Sequence, residues 1–153
     1  MELTLDQALQ KAVEAHKDGQ IQEADRLYTA ILKAYPKHPD ANHNLGVLAV
    51  SIGKAQDALP FFKTALQVNP SIAQFWISYI DALIKLDRPA EAKAVFDQAK
   101  SKGVKDEVLG RLQKKLAKIE EALGADEELA TEKLKQTNIL NGLKLDQALN
   151  LAK

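Results

Sequence analysis

The chain contains no cysteine. That excludes disulfide scaffolds, thiol nucleophiles and cysteine-ligated metals, and it suits a reducing compartment. No apolar run is long enough to span a bilayer. The start, MELTLDQALQKA, carries an early acid and no apolar core, so it does not read as a secretory signal. Neither sign of charge is in excess, with 21 basic and 21 acidic residues. The electrostatic case for nucleic acid or an anionic membrane as main partner is therefore missing. These absences point to a cytoplasmic protein without membrane insertion. Glycine and proline are sparse, at 7 and 5 residues, so each one marks the end or interruption of an element.

What is present is helical periodicity, interrupted at regular places. The stretch Asp40 to Pro70 holds Leu45, Leu48 and Ala49 at helical spacing, breaks at Gly53, and resumes through Ala58, Phe61, Phe62, Ala65 and Leu66 before Asn69-Pro70. That is a helix, a turn, a helix and a stop. The pattern recurs on both sides. Gly19, Gly53 and Asp87 are separated by one fixed step, and so are Ala24, Ala58 and Ala92. Tyr28, Phe62 and Phe96 follow the same step, as do Ile31, Ala65 and Ala99. The stop set is Pro36, Pro70 and Val104, and in the first helices Ala12 matches Gly46 and Ile80 while Ala8 matches Asn42 and Trp76. Small residues suit a close helix crossing. The aromatics fill the gap to the next hairpin. Glycine or aspartate suits a tight turn, and proline ends a helix that it cannot continue.

A step of about 34 residues with these slots resembles the tetratricopeptide repeat family. The resemblance covers three units, 5–38, 39–72 and 73–106, which together form a region 1–106. It implies an all-α fold, an α-solenoid of three helical hairpins. Departures are visible. Asn42 stands at the tryptophan slot that Trp76 fills, and reads as a poor replacement. Lys11 occupies a usual leucine slot. Val104 replaces the closing proline, which would let the third unit run on. Pro60 falls inside a helix, near its start, where a kink is tolerable.

Within the units, Thr4 and Gln7 have the spacing of a capping box, with Leu3 and Ala8 at staple positions. Pro89 suits a first helical position, and Gly103 stops the last hairpin. From Glu107 the repeat phase is lost. Leu109, Leu112, Leu116, Ile119 and Leu123 make a narrow stripe, read as a capping helix over 107–123 that closes the array, or else as a coiled-coil seam for self-association. Gly124 is expected to end that helix, Asp126 to cap another, and Asn141-Gly142 to turn the chain, so 124–153 is a charged helical tail with additional C-terminal helices. LKLDQALNLA, from Leu143 to Ala152, echoes LTLDQALQKA, from Leu3 to Ala12. Either a further repeat begins there and the chain is part of a longer protein, or two helix starts of restricted alphabet agree by chance.

No catalytic constellation emerges. His16, His38 and His43 form no two-histidine metal motif, the four serines lie in no nucleophile elbow, and no glycine-rich phosphate loop exists. Acidic pairs such as Glu120-Glu121 and Glu127-Glu128 read as solvated faces. The reading is of a non-enzymatic protein, with no cofactor and no metal. The resemblance implies instead a concave groove lined by the first helices. Carried over, its residues are Leu9, Val13, His43, Asn44, Val47, Val50, Ile77, Asp81 and Ile84. Such an apolar surface suits an amphipathic helix or an extended peptide, with Asn44 fixing the peptide backbone, unless the chain's own tail folds back to cover it. A carboxylate clamp of the chaperone-binding type is not expected. Asn44 matches one of its positions, but Leu9, Val13, Gln74 and Ser78 supply no positive charge at the others. The function expected is a protein–protein interaction module. The alternatives are the repeat portion of a larger, bacterial-style enzyme of glycosyltransferase or sulfotransferase type, and a self-assembling scaffold.

Overall fold

The computed structural model describes residues 2–105 and 107–151. Asp106, the last residue of the third expected unit, and Ala152, the last of the C-terminal echo, lie outside the described residues. Among the described residues there are seven helices and no strand. They are α1 (Leu5–Lys17), α2 (Ile21–Ala34), α3 (Pro39–Ser51), α4 (Ala55–Val68), α5 (Ala73–Lys85), α6 (Pro89–Ser101) and α7 (Glu107–Leu151). The chain is an all-α array of helical hairpins. Two compact units divide it, Met1–Lys114 and Lys115–Lys153.

In the first unit, α1 pairs with α2, α3 with α4 and α5 with α6, and each second helix packs on the next first helix. First helices also meet, α1 with α3 and α3 with α5. Among the described residues no such approach joins α2 to α4 or α4 to α6. A stack whose first helices touch while its second helices do not must curve toward the first helices. The concave side of this unit is therefore built by α1, α3 and α5.

Repetition at the turns is close. Gly19, Gly53 and Asp87 all have positive φ, at 73°, 80° and 55°. In each turn the following amide reaches back to a carbonyl of the helix's last turn: Gln20 to Ala15, Lys54 to Ala49 and Arg88 to Leu83. This is the Schellman arrangement, which satisfies helix-end carbonyls. Gly103, at φ 77°, repeats it after α6, with Val104 bonded to Ala99. The third hairpin thus stops at a glycine turn where the first two stop at proline, and does not run on. Thr4 and Gln7 form the reciprocal capping box, at 3.2 and 3.0 Å.

The crossings follow the small-residue slots. Ala12, Ala24, Ala41, Ala58 and Ala65 have no exposed surface. Gly46 is the tightest place: a Cβ built there would lie 2.5 Å from Cε1 of Phe62. Asn42 is a better occupant of the tryptophan slot than its chemistry alone suggests. The Trp76 indole N–H donates to the Pro70 carbonyl at 2.8 Å. One repeat earlier, the Asn42 amide donates to the Pro36 carbonyl at 3.1 Å and to the His38 carbonyl at 2.9 Å. Asn42 is 3 % exposed. It keeps the hydrogen bond that ties the first helix to the preceding proline corner and gives up the indole's bulk.

The C-terminal region differs from the sequence expectation. Neither Gly124 nor Asn141-Gly142 breaks the chain, and α7 runs through all three positions as one helix. A lone glycine in a helix costs about 1 kcal/mol, which does not stop propagation when alanine, leucine, glutamate and lysine surround it and no proline intervenes. Leu109, Leu112 and Leu116 are buried, Ile119 is half-buried and Leu123 is exposed. Every side chain described from Glu120 onward is exposed.

Candidate functional site

α3 and α5 lie side by side, and the repeat step aligns Asn44 with Ser78, Val47 with Asp81 and Ser51 with Lys85. Between them lies a pocket of about 230 Å³, lined by Val47, Val50, Ser51, Phe62, Ser78, Asp81, Ala82 and Lys85. Its floor is apolar: Phe62 is 1 % exposed. One wall carries the two valines and the other the polar groups of Asp81 and Lys85.

Beside the pocket a hydrogen-bonded chain crosses the array. The His43 ring is buried, stacked on Phe75 at a centroid distance of 4.7 Å and tilted against Phe62 at 5.8 Å. Its Nε2 lies 2.8 Å from Ser78 Oγ, and its Nδ1 lies 3.2 Å from Asn44 Oδ1. The Asn44 carboxamide oxygen only accepts, so Nδ1 carries the hydrogen and Nε2 accepts from the Ser78 hydroxyl. Gln74 donates to that hydroxyl at 3.2 Å. Residues of the second and third hairpins thus share one polar chain. Burial pushes the His43 pKa below its ordinary value, opposed by the Asn44 hydrogen bond and the charge of Asp40, and the ring is held neutral. Burial likewise raises the Tyr28 pKa, while the bond with Asn44 lowers it.

The expected site residues separate into groups. Val47, Val50 and Asp81 line the pocket. Leu9 and Val13 are half-buried against the core of Ala12, Tyr28, Leu45 and their neighbours. Ile84, next to the pocket residue Lys85, is half-buried. Ile77 is 7 % exposed and His43 8 %, and the His43 ring packs on Phe75 of α5, so both leave little surface open to a ligand. Asn44 spends its oxygen on His43, so part of its carboxamide is engaged within the groove wall. Ser78 was not among the expected groove residues. The signal that finds it is the repeat step itself, which aligns it with Asn44.

A wider cleft, of about 450 Å³, opens between α4 and α6, lined by Lys63, Gln67, Trp76, Tyr79, Gln98 and Lys102 among others. It is the gap left where the second helices do not touch. Among the described residues no cluster of three acidic, histidine or cysteine side chains could hold a metal. None of the helices described is long and apolar enough to cross a membrane.

Two family models described as tetratricopeptide repeat match the sequence, one over residues 9–67 and the other over 49–116. The chain belongs to the tetratricopeptide repeat family. Solved structures agree on the fold. The Sgt2 TPR domain from Aspergillus fumigatus has a TM-score of 0.66 at 24% identity, over 77% of this chain and 80% of that one. The Yersinia enterocolitica type III secretion chaperone SycD, in complex with a peptide of the translocator YopD, has 0.67 at 16%, over 83% and 97%. The Thermobaculum terrenum O-GlcNAc transferase has 0.58 at 20%, over 65% of this chain but 20% of that one. The match to MamA spans 53% of that chain. Among curated proteins no sequence match is found. As a repeat array of this family, the chain is a protein–protein interaction module.

Proposed function

We propose that the concave side formed by α1, α3 and α5 binds a partner peptide or helix through an apolar side chain seated between Val47 and Val50. The observation that carries this reading is the pocket between α3 and α5, with the buried Phe62 as its apolar floor. Asp81 and Lys85 on the opposite wall give the ligand a polar register, and the His43–Ser78 chain keeps the walls at fixed spacing. A preformed groove saves the ordering cost that a mobile one imposes on binding. Leu109 and Leu112 serve as the cap of the array's last hairpin. The place of action is the cytoplasm, in keeping with the absence of cysteine.

The test is selection from a displayed random peptide library on the wild-type chain, followed by binding to two variants. Val47→Asp should abolish capture of the selected peptides, and Lys63→Glu, in the cleft between α4 and α6, should leave it intact. Circular dichroism checks that both variants fold. Equal binding to wild type and Val47→Asp would remove the groove as the site.

A second reading is favoured by the likeness to the transferase: the array would recruit a protein substrate for a larger enzyme of glycosyltransferase or sulfotransferase type. Reading the gene beyond Lys153 decides it, since that reading needs a catalytic domain in the same frame.

A further inference from the structure

The distal part of α7 leaves a row of large apolar side chains exposed, with Leu123 at 46 %, Leu134 at 65 % and Leu145 at 63 %. A helix of this length draws most of its stability from packing one face on a partner, and these side chains have none among the described residues of their own helix. Leu112, Leu123, Leu134 and Leu145 recur at an 11-residue step. That step corresponds to about 3.67 residues per turn, a repeat that keeps one stripe on one side of a long helix. Ile119 and Leu149 stand beside the same stripe.

The charges are ordered along it. From Glu120 to Glu132 there are six acids and no base. From Lys133 to Leu145 there are three lysines and no acid. The reversal falls next to Leu134, the middle of the stripe. Turned end for end, the acidic stretch of one copy lies against the segment that carries Lys144 and not against a second acidic stretch.

We propose that the distal half of α7 pairs with the same segment of a second copy of this chain, antiparallel and centred on Leu134. In that register Leu134 meets Leu134 of the second copy once, on the two-fold axis, while Leu123 meets Leu145 and Ile119 meets Leu149, each of these two pairs twice by symmetry. Asp126 lies beside Lys144 of the second copy on one flank. Glu127 faces Asn141 in the seam, and a polar layer of this kind fixes register. A parallel pair would lay six acids on six acids, which the like charges oppose, whereas the antiparallel register brings only Lys133 and Lys135 near their counterparts. The two-fold axis makes the contact isologous and closed, so it yields a dimer and not a filament. The pairing is independent of the groove reading, because it uses no residue of α1, α3 or α5.

The chain's lack of cysteine makes the test direct. Molar mass is measured by sedimentation equilibrium on the full chain from ~1 to ~100 μM, where mass action exposes a dimer. The expected mass rises toward twice 16.8 kDa, and Leu134→Asp returns it to that of one chain while the array's circular dichroism persists. Orientation follows from oxidised single-cysteine variants. Leu123→Cys mixed with Leu145→Cys should form a disulfide-linked pair, and Leu123→Cys alone should not. A single-chain mass throughout the range would overturn the proposal. So would a dimer indifferent to Leu134→Asp, or self-linking of Leu123→Cys, which would mean a parallel pair.

Discussion

Residue 46 shows how much a missing side chain can do. Phe62 fills the space that a Cβ at Gly46 would need, with three ring atoms within 2.9 Å of that position. Phe62 is itself buried and floors the groove pocket, so it has little room to retreat. Gly46→Ala gains helix propensity of about 1 kcal/mol and incurs overpacking of about 1–3 kcal/mol. The net expected loss is roughly 1 kcal/mol, or a fall of a few degrees in Tm. Adding Phe62→Leu should recover part of it, and a double-mutant cycle measures the coupling. His43 makes a second residue-scale argument. Its folded pKa lies below the unfolded value of 6.5 because burial disfavours the charged ring. The unfolded chain therefore binds the proton more readily. The stability that the neutral ring contributes is complete above pH 6.5 and is lost as the pH falls from there through the folded pKa. Burial lowers the His16 pKa too, with the same sign. Urea midpoints measured from pH 7.5 to 5 should fall, and His43→Gln should flatten the slope. A slope unchanged by that substitution would assign the pH dependence elsewhere.

Elements here are set mainly by how they end. Three interior turns use one left-handed residue each, and two of the three are glycine. Asp87 adopts φ 55° in the place where Gly19 and Gly53 sit freely. A side chain at such a residue raises the energy by about 1–2 kcal/mol, less for aspartate. Asp87→Gly should therefore raise stability by roughly 0.5 kcal/mol after glycine's entropy is counted. Gly53→Ala should lower it by about 1 kcal/mol. No atom lies within 4 Å of a Cβ at Gly53, so that loss would be conformational and not steric. Paired thermal melts of the two variants check the opposite signs. If Asp87→Gly destabilises, the aspartate side chain contributes more to the turn than its backbone strain takes away.

At the scale of the whole molecule, the hairpins were legible because each slot has one physical demand and meets it three times. The small crossings, the turn glycines and the proline stops all announce themselves by period. The groove was half legible. The repeat step says which slots face inward, but it cannot say which inward residues are used up. His43 is engaged by Ser78 and Phe75, partners that come from α5 and not from adjacent sequence, and Ile77 is buried. Residues beyond Gly124 were misread because glycine, asparagine and aspartate signal turns where a core forces the chain to reverse. An exposed helix meets no such demand and simply continues. That distinction can be measured, because Trp76 is the only tryptophan and is buried in α5, so its fluorescence reports on the array alone. The side chains described from Glu120 onward are exposed, and deleting residues 120–153 removes none of the core around Trp76. The shortened chain should melt, by tryptophan fluorescence, within about 2 °C of the full chain. Its far-ultraviolet helical signal should drop by the share of α7 removed. A much lower tryptophan midpoint would show that the distal helix supports the array, and its exposed leucines would then have to be explained as packing surface for the hairpins.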